Sequence, residues 1–351
     1  MALLEVRNLR TSFFTDAGEV KAVNGISFNL DHGKVLGIVG ESGSGKSVTA
    51  YSIMQILAPT AKILEGSSVK VDGQELVGAG EKVMRKVRGN KVSIIFQDPM
   101  TSLNPTYTIG HQLMEAIRLH TNRDKKAAYE RAVEMLRLVN VNEPLKRMKQ
   151  YPFELSGGMR QRVVIAMALA CEPDILIADE PTTALDVTIQ AQILELMNSL
   201  QKELGMAIIM ITHDLGVVAQ MCDEVIVMYA GSICEQGTAE EIFYNPCHEY
   251  TKGLIRSIPT TNTFGQKLRP ITGTPIDLLN MPKGCPFAPR CDAAMKVCLR
   301  DCAEPDQIND DHRAACWMNV KKGIEDGTIQ WKQSEESDQT PKTEEGGADH
   351  E

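Results

Sequence analysis

The chain has 351 residues, enough for a sizeable buried core and for two or more structural units. Its formal net charge is −9, but residues 333–351 carry seven acidic residues and one lysine, so the rest of the chain is close to −3. Nucleic-acid binding needs clustered lysine and arginine, and this balance argues against a nucleic-acid partner.

Membrane-spanning and secretory signals are also missing from the sequence. No apolar run approaches the roughly 20 residues needed to cross a bilayer. Residues 1–10 include one glutamate and two arginines and lack the apolar core of a signal peptide. We therefore expect a cytoplasmic chain that reaches a membrane only through partners.

The first predicted elements are two strands with alternating apolar and polar residues, at 3–9 and 26–30. We expect them to form an antiparallel layer. Phe13 and Phe14 lie between them. Either ring could offer a face for stacking on a planar base, and both could equally be ordinary core residues.

The strongest motif follows the apolar run 35–39, which is typical of a buried strand. Residues 40–47 read GESGSGKS and open into a potential helix, which is the strand, loop and helix of a P-loop. Such a loop directs backbone N–H groups at phosphate oxygens, and the alternative is a glycine-rich turn that binds nothing. We predict a nucleotide site formed by Gly40, Glu41, Ser42, Gly43, Ser44, Gly45, Lys46 and Ser47. The lysine would reach the outer phosphates and the Ser47 hydroxyl would bind Mg²⁺.

Two further apolar runs, 174–178 and 207–211, are typical of strands buried in a parallel sheet. Polar residues follow each run, and the carboxyl ends of such strands are where α/β sheets bind ligands. Asp179 could hold Mg²⁺ and Glu180 could act as a general base toward water. His213, after the second run, could hydrogen-bond a phosphate or the water.

Residues 98–171 have a different character, with apolar residues at helical spacing between 109 and 147. We predict a helical insertion. Near its end, residues 154–162 read ELSGGMRQR, with Ser156, Gly157 and Gly158 at a helix start. These residues form a second candidate anion site, and the alternative is a capped helix without a ligand.

The chain strongly resembles the ATP-binding subunit of an ABC transporter. The resemblance rests on these motifs, in chain order: GESGSGKS, Gln97 after a strand, LSGGMRQR, ILIADEP, TALD at 183–186 and ITHD. The resemblance covers residues 1 to about 260, and the signature at Ser156 stands 23 residues before Asp179. It implies a P-loop NTPase of the ABC type, with a mixed α/β sheet core, an antiparallel β layer and a helical insertion.

The resemblance also implies roles for single residues. Phe13 would stack on adenine, and Gln97 would contact Mg²⁺ and water and sense the membrane partner. Glu180 would be the catalytic base, and His213 would be the switch histidine.

Partners follow from the same resemblance. Residues 156–158 would close on the nucleotide of an opposing ATPase subunit, so the working unit would be a dimer holding two ATPs. Two permeases would supply the pore, and this chain would lie at the cytoplasmic face of the membrane as a peripheral subunit. The sequence does not choose between a homodimer and a heterodimer. The loop at 98–105 is a candidate contact for the permease or, equally, a plain connection.

Beyond residue 231, the segments HEYTKGLIRSIP and GCPFAPRC resemble the D-type ATPase of oligopeptide and dipeptide importers, whose relatives include nickel importers. That branch works with an extracellular binding protein. Nickel or another small solute remains an alternative cargo. An ABC-type ATPase acting on DNA or ribosomes would predict a basic face, a long coiled coil or a second cassette, and the sequence has none. An Fe–S redox or sensor ATPase is a further alternative.

Five cysteines lie between 285 and 316. Four thiolates can bind an Fe–S cluster or tetrahedral zinc. The gaps between Cys285, Cys291, Cys298 and Cys316 are wider than is usual for structural zinc. The resemblance associates this pattern with a [4Fe-4S] cluster. The alternatives are zinc and five reduced thiols that bind no metal. Cys302 leaves the choice of ligands open.

We accordingly divide the chain into four parts. The ATPase core would comprise 1–97 and 172–258, and the helical subdomain 98–171. A cysteine-rich extension would occupy 259–332. Residues 333–351, acidic and without large apolar side chains, should be disordered.

Overall fold

The computed structural model describes residues 2–183, 185–258 and 270–325, and it is an α/β fold with two sheets. The predicted disordered tail lies outside these residues. The smaller sheet is antiparallel, in the order β2–β1–β5–β6 with β4 on β1. Its strands are β1 (Leu4–Thr15), β2 (Gly18–Leu30), β4 (Ala61–Ile63), β5 (Ser68–Val71) and β6 (Gln74–Glu75).

The larger sheet is mixed, and in the described ranges its order is β12–β13–β11–β10–β3–β9–β8–β7. The five strands from β10 to β7 are parallel, and the other three pair antiparallel. The strands are β3 (Val35–Val39), β7 (Val92–Ile95), β8 (Ile175–Asp179), β9 (Ala207–Thr212), β10 (Glu224–Tyr229), β11 (Ser232–Thr238), β12 (Asp306–Asn309) and β13 (His312–Ala314).

Helices cover the larger sheet and fill the interval between β7 and β8. They are α1 (Lys46–Met54), α2 (Glu81–Val87), α3 (Pro99–Ser102), α4 (Ile109–His120), α5 (Lys125–Leu138), α6 (Pro144–Arg147), α7 (Gly157–Leu169), α8 (Val187–Leu204), α9 (Leu215–Met221), α10 (Ala239–Tyr244), α11 (Glu249–Arg256), α12 (Lys296–Arg300) and α13 (Trp317–Glu325). Within the described ranges, none of them is long and apolar enough to cross a bilayer.

The two faces of the larger sheet bury different cores because side chains alternate along each strand. On β3, Leu36 and Ile38 face the smaller sheet and α1, whereas Val35 and Val39 join the core formed with the helices of residues 109–169 and with α8 and α9. The sheet is therefore buried on both sides, as the continuous apolar runs predicted.

Two features of the fold differ from the sequence prediction. β1 and β2 extend well beyond 3–9 and 26–30, because they pair from Leu4 opposite Leu30 to Thr15 opposite Gly18. Hydrogen bonds to the neighbouring strand keep polar residues in the strand conformation, and an apolar–polar alternation in one segment does not predict these residues. The extension after residue 270 also adds β12 and β13 to the edge of the larger sheet, although these short strands are largely polar.

Candidate functional site

Four neighbouring parallel strands end at the same edge of the larger sheet. β3 leads to Gly40, β9 to His213, β8 to Asp179 and Glu180, and β7 to Gln97 shortly after its last residue. The topology thus brings together the residues that the motifs predicted for phosphate binding and hydrolysis.

The loop after β3 has the backbone of a phosphate cradle. Gly40, Gly43 and Gly45 all have positive φ, at 153°, 78° and 100°. A Cβ on Gly40 would lie 2.2 Å from the Met228 carbonyl oxygen, and one on Gly45 would lie 2.4 Å from the Ala22 carbonyl oxygen. Only glycine fits at these two positions, since both the backbone angle and the space exclude a side chain.

Lys46 begins α1 and folds back over this loop. Its ammonium donates hydrogen bonds to the carbonyl oxygens of Gly40, at 2.7 Å, and of Glu41, at 2.9 Å. Burial lowers its pKa, although the carboxylates of Glu180 and Asp179 oppose the shift. The positive charge is therefore held at the mouth of the loop, where phosphates would bind.

Asp179 is fully buried at the end of β8 and faces α1. Its carboxylate accepts hydrogen bonds from the Ser47 hydroxyl at 2.9 Å and from the Tyr51 hydroxyl at 3.1 Å. Burial raises the pKa of Asp179 despite these bonds. A carboxylate and a serine hydroxyl are hard oxygen donors of the kind that Mg²⁺ prefers, so these two residues fit a magnesium site.

Glu180 follows directly and has a positive φ of 47°. Its carboxylate accepts bonds from the side chains of Gln97 at 3.0 Å and Thr183 at 2.9 Å, and its other oxygen is 3.3 Å from His213 Nδ1. Burial tends to raise the pKa of Glu180, but the bonds from Thr183 and His213 outweigh it and leave the pKa below its usual value. Glu180 is therefore ionised at neutral pH and can accept a proton from water.

The signature residues lie on the surface, at the start of α7. Ser156 caps the helix, since its hydroxyl accepts a bond from the Met159 N–H at 3.4 Å. Ser156 and Gly157 are exposed. Gly158 packs on Ile189, whose side chain would lie 2.9 Å from an added Cβ. An exposed helix start of this kind can face a ligand on another molecule.

The two aromatic candidates on β1 differ in exposure. Phe13 is partly buried and pairs with Val20 and Ala61 on the neighbouring strands. Phe14 is 45% exposed, with the Lys62 ammonium 5.7 Å from its ring centre. Phe14 is therefore the more exposed of the two rings, and Phe13 is partly covered.

The four predicted cysteine ligands, Cys285, Cys291, Cys298 and Cys316, line one small cavity in the extension. The Cys285 N–H donates to the Cys298 carbonyl oxygen at 2.7 Å, which fixes two of them side by side. Burial raises the pKa of Cys285 to about 11. The fifth thiol, Cys302, is exposed and bonds to the Gly284 carbonyl oxygen at 3.0 Å.

Comparison with known proteins decides the family. The family model for ABC transporters matches residues 23–183, and that for the C-terminal region of oligopeptide/dipeptide transporters matches residues 234–298. The dipeptide transport ATP-binding protein DppD of Bacillus subtilis is 54% identical over 321 residues, which is 91% of this chain and 96% of that protein. The chain belongs to the ATP-binding subunits of ABC transporters.

Other members of this ABC family agree with the assignment. The oligopeptide transport ATP-binding protein OppD of Escherichia coli is 54% identical over 85% of this chain and 88% of its own length. Among solved structures, the dimeric ATP-binding cassette MJ0796 with ADP and Pi matches with a TM-score of 0.61 at 26% identity. It covers 67% of this chain and 98% of its own, and it shares the α/β fold.

The motifs did not predict two residues of the site. Tyr51 lies one helical turn after Ser47, so both can reach Asp179 from one face of α1. The Thr183 hydroxyl donates a hydrogen bond to the carboxylate of Glu180, three residues earlier in the chain. The four-residue spacing between Ser47 and Tyr51 could have indicated Tyr51. The contact between Thr183 and Glu180 depends on the conformation of the turn after β8, which the sequence pattern does not give.

Proposed function

We propose that the chain binds and hydrolyses ATP to drive the uptake of oligopeptides or dipeptides through a membrane ABC transporter. The converging strand ends support the ATPase activity. They place the loop of residues 40–47, the oxygen ligands Ser47 and Asp179, and the ionised Glu180 carboxylate at one edge of the larger sheet. The match of residues 234–298 to the oligopeptide/dipeptide transporter region supports the cargo class, and it is the observation on which the cargo assignment depends.

We assign the hydrolytic roles as follows. The backbone of residues 40–47 cradles the phosphates with the Lys46 ammonium. Ser47 and Asp179 would hold Mg²⁺, which when bound would neutralise charge on the phosphate oxygens. Glu180 accepts the proton of the attacking water.

The remaining groups position the reactants. His213, held at Glu180, orients the water and the γ-phosphate. Gln97 donates a hydrogen bond to Glu180 in this structure, and it would contact Mg²⁺ and sense the state of the permease. Phe13 stacks on the adenine.

The working assembly in this proposal is larger than the chain. Residues 156–158 close on the nucleotide of a second homologous ATPase, because their helix start is exposed rather than buried against the chain's own loop. The core, 1–97 and 172–258, and the helical subdomain, 98–171, then form one half of a peripheral complex at the cytoplasmic face. Two permeases and an extracellular peptide-binding protein complete the importer, and residues 98–105 are the proposed permease contact.

Co-purification from solubilised membranes tests this assembly. We expect affinity-tagged full chain to bring down two permeases and a second ATPase, identified by mass spectrometry. A tagged variant with the exposed substitution Glu203→Gln should recover the same set. Recovery of ribosomal or DNA-bound proteins without any permease would retain the ATPase and contradict its role in transport.

Four thiol side chains from separate segments line the same small cavity, and this arrangement supports a metal site there. We propose that Cys285, Cys291, Cys298 and Cys316 hold a [4Fe-4S] cluster, with zinc as the alternative. When bound, the group would cross-link these points of the 259–332 extension and add to its stability. Cys302 does not line the cavity, so we exclude it from the ligands.

Elemental analysis after anaerobic purification tests the cluster. The full chain should contain about four iron and four sulfide per molecule. Cys298→Ser should lose most of both, whereas the matched variant Cys302→Ser should keep them. About one zinc and no iron would select the alternative, and metal-free protein in every preparation would contradict a metal site.

A further inference from the structure

The extension makes a direct contact with the phosphate-binding loop. Arg290 Nη1 lies 2.5 Å from Glu41 Oε2, and Nη2 lies 2.9 Å from Glu41 Oε1. The Arg290 side chain is 5% exposed and the Glu41 side chain 27% exposed. Two parallel charge-assisted bonds in a largely buried setting fix both the distance and the orientation of the two groups.

Arg290 is itself held in place by the extension and by the sheet. Its Nε donates to the Thr272 carbonyl oxygen at 3.0 Å, and its Nη1 lies 3.3 Å from the Tyr229 hydroxyl. The guanidinium also lies over the Tyr229 ring, 5.8 Å from the centre. These contacts hold the guanidinium in one orientation, so its two bonds restrain the Glu41 carboxylate as well.

A second contact reaches the same loop residue. The Glu41 N–H donates to the hydroxyl of Tyr250, a fully buried side chain on α11, at 2.8 Å. The Glu41 carbonyl oxygen accepts from the Lys46 ammonium at 2.9 Å. All three polar groups of Glu41 are therefore bound, and the partners of two of them, Tyr250 and Arg290, come from beyond residue 249.

We propose that Arg290, supported by Tyr250, is a positioning residue for ATP binding that makes the C-terminal extension part of the phosphate site. In this proposal Arg290 acts on the nucleotide through Glu41 and not by direct contact. It fixes Glu41, and through the backbone of Glu41 it fixes the loop and the carbonyl that holds Lys46. By linkage, nucleotide binding stabilises the extension by the same factor by which the extension raises nucleotide affinity.

The first test is a mutant cycle on full chain, with binding of Mg²⁺ and the slowly hydrolysed analogue AMP-PNP as the readout. Arg290→Ala should raise Kd and the KM for ATP by about tenfold, within the usual range of coupling between sites, with little change in kcat. Arg290→Lys should recover part of the affinity. Glu41→Gln should weaken binding similarly, and the double variant should be no weaker than either single one.

The matched control is Arg300→Ala, which removes an arginine of the same extension that is 81% exposed and pairs with its neighbour Asp301. It should leave Kd unchanged. Unaltered nucleotide affinity in Arg290→Lys and Arg290→Ala would overturn the proposal, even if thermal stability fell, because the contact would then be structural only. Additive effects of the Arg290 and Glu41 changes would also overturn it.

The second test uses the reciprocal effect. Hydrogen exchange of the peptide 285–291 should slow when AMP-PNP and Mg²⁺ bind to the wild-type chain. The slowing should be lost in Arg290→Ala and kept in Arg300→Ala. Equal slowing in all three proteins would contradict transmission through Arg290.

Discussion

Glutamine at position 180 should stop turnover while the site still binds ATP. The Glu180 carboxylate is kept ionised by hydrogen bonds from Thr183 and His213, whereas a neutral amide of the same shape cannot accept a proton from water. Loss of a general base typically lowers kcat by about 10²- to 10⁴-fold. Single-turnover and steady-state ATPase assays on Glu180→Gln, with AMP-PNP binding measured in parallel, check both parts of the expectation.

Two comparisons sharpen this experiment. Glu203→Gln makes the same chemical change at an exposed position of α8 and should hydrolyse ATP at the wild-type rate. The Glu180→Gln chain should also form an ATP-dependent dimer that persists, since the γ-phosphate is not removed. Turnover close to wild type in Glu180→Gln would remove this residue from the catalytic role.

Removing the Lys46 ammonium should weaken nucleotide binding itself. The charge sits at the mouth of the loop, held by the carbonyl oxygens of Gly40 and Glu41. Hydrogen bonds to a charged group contribute about 1.5–3 kcal/mol, so Lys46→Ala should raise the Kd for ATP by roughly 10- to 150-fold. Titration with a fluorescent ATP analogue measures the change.

The appropriate comparison is Lys202→Ala, which removes an exposed lysine from α8 and should keep wild-type affinity. Thermal unfolding of both variants separates loss of the site from loss of the fold. If folded Lys46→Ala bound ATP as tightly as wild type, the loop of residues 40–47 would not be the phosphate cradle proposed here.

The convergence of the candidate site residues could be predicted from the sequence because the relevant signals are local. The P-loop carries its glycines and lysine within eight residues, and the apolar runs before Asp179 and His213 are typical of buried parallel strands. Parallel strands place their carboxyl ends at one edge, so the convergence of these residues followed from the pattern.

Contacts between distant segments could not be read in this way. Arg290 and Glu41 are 249 positions apart, and neither residue type marks a pairing by itself. The pairing of β13 with β11 likewise depends on the docking of the whole extension, since the short polar segment 312–314 has little strand preference alone. Long-range packing, rather than local propensity, determines these features.

The most direct measurement of the central claim is peptide accumulation by the co-purified assembly in proteoliposomes, with ATP on the side of this chain and the peptide-binding protein on the other. Labelled dipeptide or oligopeptide should accumulate only with ATP and Mg²⁺. Accumulation should fail with Glu180→Gln and persist with Glu203→Gln. Full ATP hydrolysis with no peptide accumulation, or with accumulation of nickel instead, would contradict the account.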